Sequence, residues 1–269
     1  MLRDGVASWV AERGPFLVKA FLRRTPLARH VRKRRAIRAL HNWTARDAEL
    51  AGFYRQFVRE GDLCFDVGAN VGERTKVFLR LGASVVAIEP QLECVAVLRA
   101  VYHDEPRLTV VSQVMGERRG VAELLVGDSS TLSTLSPEWA ETLRASGRFA
   151  QNRWRETRVV DMAKLDDLIS VTGEPAFIKI DVEGSEYRVL SGLSHPVAAL
   201  SFEFVSEFEY AAVRCLDYLA TLGPVKVNYT LGERLQLAPE WVSVAEMKRV
   251  LAQLPRPYNG DIYARFANL

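Results

Sequence analysis

Cys64-Phe65-Asp66-Val67-Gly68-Ala69-Asn70-Val71-Gly72-Glu73-Arg74-Thr75 runs from an apolar strand through an acidic tip and two small-residue turns into a helical pattern. Glycine lets the backbone turn sharply there and come close to a ligand. The Asp66 carboxylate stands just before the turn, where it can accept hydrogen bonds from a cationic or hydroxylated ligand. A second apolar strand, Ser84 to Ile88, ends in Glu89. An acid at the tip of the second strand is placed to grip both hydroxyls of a ribose. The pair predicts a nucleoside-binding α/β domain.

The rest of the chain extends the same alternation. Strands are expected at 62–67, 84–88, 108–111, 121–126, 157–160, 177–181, 198–204, 225–229 and 261–267. Helices are expected at 71–81, 91–102, 164–169, 185–191 and 208–222, and a polar irregular stretch at 127–156. Strands alternating with helices imply a doubly wound, mostly parallel sheet covered on both faces. Ligands of such sheets bind at the carboxyl edge of the strands, near the switch in strand order. Residues 1–60 read as a helical extension and 61–269 as the main domain. Within the extension, Trp9, Val10, Phe16, Leu17, Phe21 and Leu22 form an apolar side broken at Gly14-Pro15, with a further break at Thr25-Pro26. A later helix runs from the N-cap Thr44 to Glu60 and stops at Gly61.

Composition sets outer bounds. The 269 residues are 48% hydrophobic and 26% charged, as in an ordinary soluble domain with a substantial core. No stretch approaches the roughly 20 apolar residues of a membrane span, and Arg3, Asp4, Glu12 and Arg13 interrupt any signal-peptide core. Cys64, Cys94 and Cys215 form no close pair, which fits a reducing compartment; the cytoplasm is the expected location. Charge is uneven. Residues 1–60 hold 14 Lys/Arg against 5 Asp/Glu, and the remainder 22 against 28. The excess peaks at residues 29–38, Arg-His-Val-Arg-Lys-Arg-Arg-Ala-Ile-Arg. A solvated helix face accounts for such a run, as does a site for anionic lipid at the inner membrane face, an acidic polymer or a partner protein. Without aromatics at stacking spacing, nucleic acid is the weaker reading.

The cofactor follows from charge. A dinucleotide site wants Gly-x-Gly-x-x-Gly, so that bare backbone meets a pyrophosphate. Here the third glycine is missing, and Asp66 would repel pyrophosphate. S-adenosylmethionine, which carries an ammonium and a sulfonium, suits the acid better than NAD does.

Three ordered blocks then carry a resemblance: Phe65 to Thr75, Ala87-Ile88-Glu89-Pro90, and Ile178-Lys179-Ile180-Asp181-Val182-Glu183-Gly184-Ser185-Glu186, which Val189-Leu190-Ser191-Gly192 continues. With Lys164 to Leu168 upstream of the last block, the chain resembles the FkbM-type family of S-adenosylmethionine-dependent methyltransferases over about residues 61–205. The resemblance implies a class I (Rossmann-like) methyltransferase fold with a seven-stranded sheet. It also implies O-methylation of sugars, glycosylated metabolites or natural-product intermediates, in carbohydrate or natural-product biosynthesis.

Asp66, Gly68, Asn70, Gly72 and Thr75 are the expected donor-binding loop, Glu89 the ribose ligand, Gln113 an adenine neighbour and Ser130 a pocket-lining hydroxyl beside Ser129. Asp181, also counted with the donor site, is expected to face the transferred methyl, with Lys179 on the same side of its strand and Glu203 ending the next. Asp181, Glu203 and Lys179 are the catalytic candidates. Glu183 adds a further acid, and like charges raise one another's pKa. Three accounts stay open: a general base for an acceptor hydroxyl, a magnesium ion held by oxygen ligands, or neutralisation by Lys179. The acceptor pocket is expected from residues 127–156, with Trp139, Arg148, Arg153 and Trp154, together with the extension. His30, His41, His103 and His195 read as surface or turn residues, although His41 could reach the site. No Asn-Pro-Pro-Tyr box of the nucleic-acid amine methylases is present. The rival readings are an NAD-linked enzyme and a non-catalytic adaptor working through the basic helix.

Overall fold

The computed structural model describes residues 26–147, 149, 151–232 and 234–267. It divides into two compact units, Met1–Trp43 and Thr44–Leu269. In the first, helix α1 spans Pro26–His41 and carries no acid in its first turn. The expected helices before Pro26 lie outside the described residues.

The second unit begins with α2 (Ala45–Tyr54). Thr44 caps it as expected, in a reciprocal pair: the Asp47 N–H donates to Thr44 Oγ1 and the Thr44 N–H to Asp47 Oδ2. The helix stops at Tyr54, short of the expected Glu60, because Phe53, Tyr54 and Phe57 turn inward to an aromatic cluster. Phe57 stacks on Tyr263 at 5.2 Å, and Tyr54 meets Phe78 edge-on at 5.0 Å. Residues 44–60, expected with the extension, therefore pack with the sheet.

The main sheet has seven strands: β1 (Leu63–Val67), β2 (Ser84–Ile88), β3 (Leu108–Val111), β7 (Phe177–Ile180), β8 (Ala199–Val205), β9 (Val225–Leu231) and β10 (Asn259–Phe266). Their order is β3-β2-β1-β7-β8-β10-β9, parallel except that β10 runs antiparallel to both neighbours. This is the doubly wound class I arrangement. Side chains alternate between two covered faces. Phe65 and Val67 enter one core with Ile178, Ile180 and Phe202, while Cys64 joins Val77, Phe78, Phe177 and Tyr263 in the other. Between strands lie α3 (Glu73–Arg80), α4 (Leu92–Val101), α6 (Leu165–Thr172), α7 (Glu186–Leu190) and α8 (Glu209–Leu222).

The sequence reading is corrected in the middle of the chain. The expected strands at 121–126 and 157–160 leave the main sheet. As β5 (Gly120–Gly127) and β6 (Trp154–Ala163), they form a three-stranded sheet with β4 (Val114–Met115). Their pattern explains this: Leu124 and Met162 are buried while Val121 and Val159 stay exposed, so the ribbon has one wet face. The stretch 127–156 is more regular than expected over its described residues. It holds a 3-10 turn at Ser130–Leu132 and helix α5 (Pro137–Ser146), capped by Ser136 and ended by Gly147. A last unexpected helix, α9 (Val244–Gln253), opens on a Ser243/Glu246 capping box. No helix among the described residues is long and apolar enough to cross a membrane.

Candidate active site

Strand order reverses between β1 and β7, and that switch point opens the crevice where ligands of such sheets bind. Two strand tips meet there, and the Asp181 N–H donates to the Val67 carbonyl at 2.9 Å. Gly68 has φ +84°, and a Cβ on it would sit 1.9 Å from the Asp181 carbonyl oxygen. Only glycine lets these backbones approach so closely. Asn70 takes φ +48° and steadies the turn by accepting the Val71 N–H at Oδ1, 2.8 Å away.

The loop separates residues that face the crevice from residues that brace it. Asp66 is 2% exposed and accepts the Thr75 hydroxyl at 2.6 Å. Burial raises its pKa, opposed by the Thr75 hydrogen bond and the nearby Arg74 and Lys179 charges. Gly72 makes room for Leu98: a Cβ there would come 2.4 Å from Leu98 Cδ2. Asp66, Gly72 and Thr75 thus stand behind the crevice. Gly68, Asn70, Glu89, Gln113, Ser130 and Asp181 line it, around about 720 Å³ of open space.

Glu89 sits at the β2 tip with its carboxylate already engaged. Oε2 accepts the Asn70 N–H at 2.8 Å and Oε1 the Gln91 N–H at 2.7 Å. Burial lifts its pKa to about 7, against the lowering effect of those two backbone donors. Gln91, which the sequence reading passed over, ties this tip to the opposite wall. Its Nε2 donates to the Ser130 carbonyl at 2.9 Å, and its Oε1 accepts the Ser133 hydroxyl at 2.9 Å. Thr134 and Ser185 were also missed. Thr134 Oγ1 donates to the Glu183 carbonyl at 2.6 Å. Ser185 lines the crevice, 2% exposed, and its hydroxyl has no hydrogen-bond partner among the described residues.

The β7 and β8 tips gather acids. Asp181, Glu183 and Glu203 each bring a carboxylate oxygen within 4.8 Å of the others. Neither the Glu183 nor the Glu203 carboxylate makes a hydrogen bond among the described residues. Both are pushed well above the ordinary carboxylate range, first by burial and then by neighbouring acids: Glu203 and Asp181 act on Glu183, and Asp181 and Glu186 on Glu203. Glu183 is held at φ +56°, followed by Gly184 at +87°. The Trp139 ring lies against Gly184, where a Cβ would come 2.3 Å from it. Glu186 turns back to accept the Gly184 N–H at 3.1 Å, and burial lifts its pKa to about 7.

Lys179 lies beneath this cluster, 1% exposed, with Nζ 2.8 Å from Asp261 Oδ1 and 3.4 Å from Asp181 Oδ2. Burial would discharge it, but Asp181 and Asp261 outweigh that and raise its pKa. Asp261, on β10 opposite Glu203, is a further partner missed from sequence. Arg74 shares the same buried field; Tyr54, Asp261 and Asp181 outweigh its burial and keep it charged. Trp139 is buried and meets Trp154 edge-on at 6.1 Å, while Trp154 Nε1 donates to the Leu132 carbonyl at 2.6 Å. Arg148 lies outside the described residues, and His41 belongs to the first unit.

The sequence profile of the methyltransferase FkbM domain matches residues 66–223. No curated protein matches the chain at a significant level. Solved structures similar to it include the O-methyltransferase TomG from Streptomyces achromogenes in complex with S-adenosylmethionine, 10% identical, with 88% of each chain covered and a TM-score of 0.46. Precorrin-6y C5,15-methyltransferase from Geobacter metallireducens is 11% identical over 81% of this chain and 87% of that one, TM-score 0.41. Aeropyrum pernix fibrillarin with natively bound S-adenosylmethionine is 11% identical over 77% and 68%, TM-score 0.39. The family profile covers more than half of the sequence, and the chain belongs to the FkbM family of S-adenosylmethionine-dependent methyltransferases.

Proposed function

We propose that this FkbM-family methyltransferase methylates a hydroxyl group, on a sugar, a glycosylated metabolite or a related natural-product intermediate. The observation that carries the reading is the convergence of Asp181, Glu183 and Glu203 at the strand tips beside the crevice. An alkyl hydroxyl must lose its proton as it is methylated, and this cluster offers carboxylates to take it.

The crevice suits the methyl donor. Bare backbone at Gly68 admits close approach, Glu89 keeps unused lone pairs for ribose hydroxyls, and the buried Ser185 hydroxyl still lacks a partner. When bound, S-adenosylmethionine supplies an electrophilic methyl carbon on a positively charged sulfur. The remaining work falls to the chain. Gly68, Asn70, Glu89, Gln113 and Ser130 hold and orient. Glu203, with Glu183 beside it, accepts the hydroxyl proton as the oxygen–carbon bond forms and the sulfur–carbon bond breaks. Asp181 faces the reacting atoms, and Lys179 holds that carboxylate in place from below. Proximity of this kind lowers such barriers by roughly 7–11 kcal/mol.

A magnesium ion is the second reading of the same cluster, favoured by its three carboxylates within 4.8 Å. Lys179 already offsets the Asp181 charge, so proton transfer is the reading we adopt. Activity that persists in excess EDTA supports it, and activity restored only by magnesium replaces it with the metal.

The donor is tested by thermal unfolding. A ligand at about 100 times its dissociation constant stabilises a protein by about 2.7 kcal/mol. S-adenosylhomocysteine is expected to raise the melting temperature, and NAD to leave it unchanged. A shift with NAD alone would return the NAD-linked reading, and a shift with neither the adaptor reading. Mass spectrometry of products from a panel of sugars and glycosides then identifies the acceptor.

A further inference from the structure

Helix α1 carries a concentration of charge that methyl transfer does not explain. Residues 13–46 hold 11 Lys/Arg and no Asp or Glu, so nothing nearby in sequence compensates the helix. At a helical period of 3.6 residues, Val31, Arg34, Arg35 and Arg38 fall at i, i+3, i+4 and i+7 and share one face. All four are exposed, Val31 at 40%, while Leu40 is buried and Ala36 and Ile37 are half-buried. Among the described residues, Lys33, Arg34, Arg35 and Arg38 make no ion pair and no side-chain hydrogen bond.

Like charges three and four residues apart on a helix repel. Arg34 and Arg38 stand in that relation, as do Arg35 and Arg38. A solvated helix gains nothing from such crowding, whereas a surface of opposite charge relieves it. From this charge complementarity we infer that the exposed face of α1 docks on an anionic lipid surface. The arginines would meet headgroup phosphates, with Val31 at the N-terminal end of the stripe. Exposed Lys33 stands on another side of the same helix, so the attraction is the electrostatic one of a polybasic segment for anionic headgroups. Nucleic acid is disfavoured because no aromatic interleaves the arginines for base stacking.

The test is co-sedimentation of the full chain with vesicles of phosphatidylcholine alone or with about 30% phosphatidylglycerol. Binding is expected to the anionic vesicles only, and to vanish as NaCl rises from about 0.05 to about 0.5 M. The triple variant Arg34→Gln, Arg35→Gln, Arg38→Gln should bind about a hundredfold more weakly, each arginine contributing about fivefold. Its S-adenosylhomocysteine binding and far-ultraviolet circular dichroism should match the parent, which separates lost docking from lost folding. Equal binding to both vesicle types, no binding to either, or an unaffected triple variant overturns the inference. So does displacement from vesicles by millimolar inorganic phosphate, or tighter binding to single-stranded RNA than to the vesicles.

Discussion

The two lips of the crevice treat their acids in opposite ways. On the β1–β2 side, each oxygen of Glu89 accepts a backbone N–H, and Gln91 laces the tip to Ser130 and Ser133. On the β7–β8 side, Glu183 and Glu203 face each other without a hydrogen-bond donor among the described residues, above the buried cation of Lys179 and near that of Arg74. A carboxylate fixed by backbone donors is a binding group: its orientation is set and its remaining lone pairs read hydroxyls. A carboxylate left to a like-charged neighbour is a proton acceptor, because it gains by taking a proton. On the function proposed above, one rim of the sheet would hold and the other react.

The contrast breaks most sharply at Glu203. Glu203→Gln should lower turnover by about 10²- to 10⁴-fold, the usual contribution of a positioned base, while S-adenosylhomocysteine affinity stays within about twofold. Single-turnover kinetics beside calorimetric titration separate the two, and turnover within a few-fold of the parent would move the proton acceptor elsewhere. Next comes the cation below. Lys179→Met leaves Asp261 and Asp181 without their partner and should cost about 3–5 kcal/mol of unfolding free energy, read by urea titration. A loss under about 1 kcal/mol would show that the acids are compensated by another group, such as Arg74.

The binding lip is sharpened by pH. Glu89 has its pKa raised from 4.5 to about 7 in the folded protein. A raised acid favours folding in its protonated form, so its contribution is fully present below pH 4.5 and is lost as pH rises toward about 7. Across that window the parent should lose on the order of 3 kcal/mol relative to Glu89→Gln. Parallel stability curves for the two proteins would contradict the buried, charged Glu89. The smallest effect is expected at Ser185. Ser185→Ala removes a buried hydroxyl that lacks a partner, so stability should hold or rise by about 1 kcal/mol. Donor affinity should fall about fivefold if that hydroxyl serves the ligand, the measure of one neutral hydrogen bond. Unchanged affinity would leave Ser185 outside the binding lip.

Sequence showed the holding lip more fully than the reacting one. The turn from Cys64 to Thr75 is local, its glycines and acids fixed within one strand–turn–helix unit, and Gly68, Asn70 and Glu89 line one crevice. Thr75 was legible as a first-turn residue, but its bond to Asp66 needed the fold of the turn. The partnership of Lys179 with Asp261 joins residues 82 apart through a strand that enters antiparallel, and no local pattern announces it. Helices α5 and α9 were a different kind of miss. Ser136-Pro137 with Gly147, and Ser243 with Glu246, are ordinary start and stop signals that the polar character of their surroundings masked. The departure of β5 and β6 into their own sheet goes with one solvent-exposed face on each strand, which a doubly covered sheet does not accommodate; the apolar Val121 and Val159 on those faces hid it.

The ring of Trp139 fills the space that Gly184 leaves empty, beside the acids of the reacting lip. Helix α5 and the loop after β7 are therefore keyed to each other like a tenon in its mortise. Exchange of residues 127–156 for the equivalent segment of a relative, as a route to a new acceptor, has to carry a matching residue at 184. A side chain introduced there would dislodge the tryptophan and shift Glu183 with it, so the two segments have to change together.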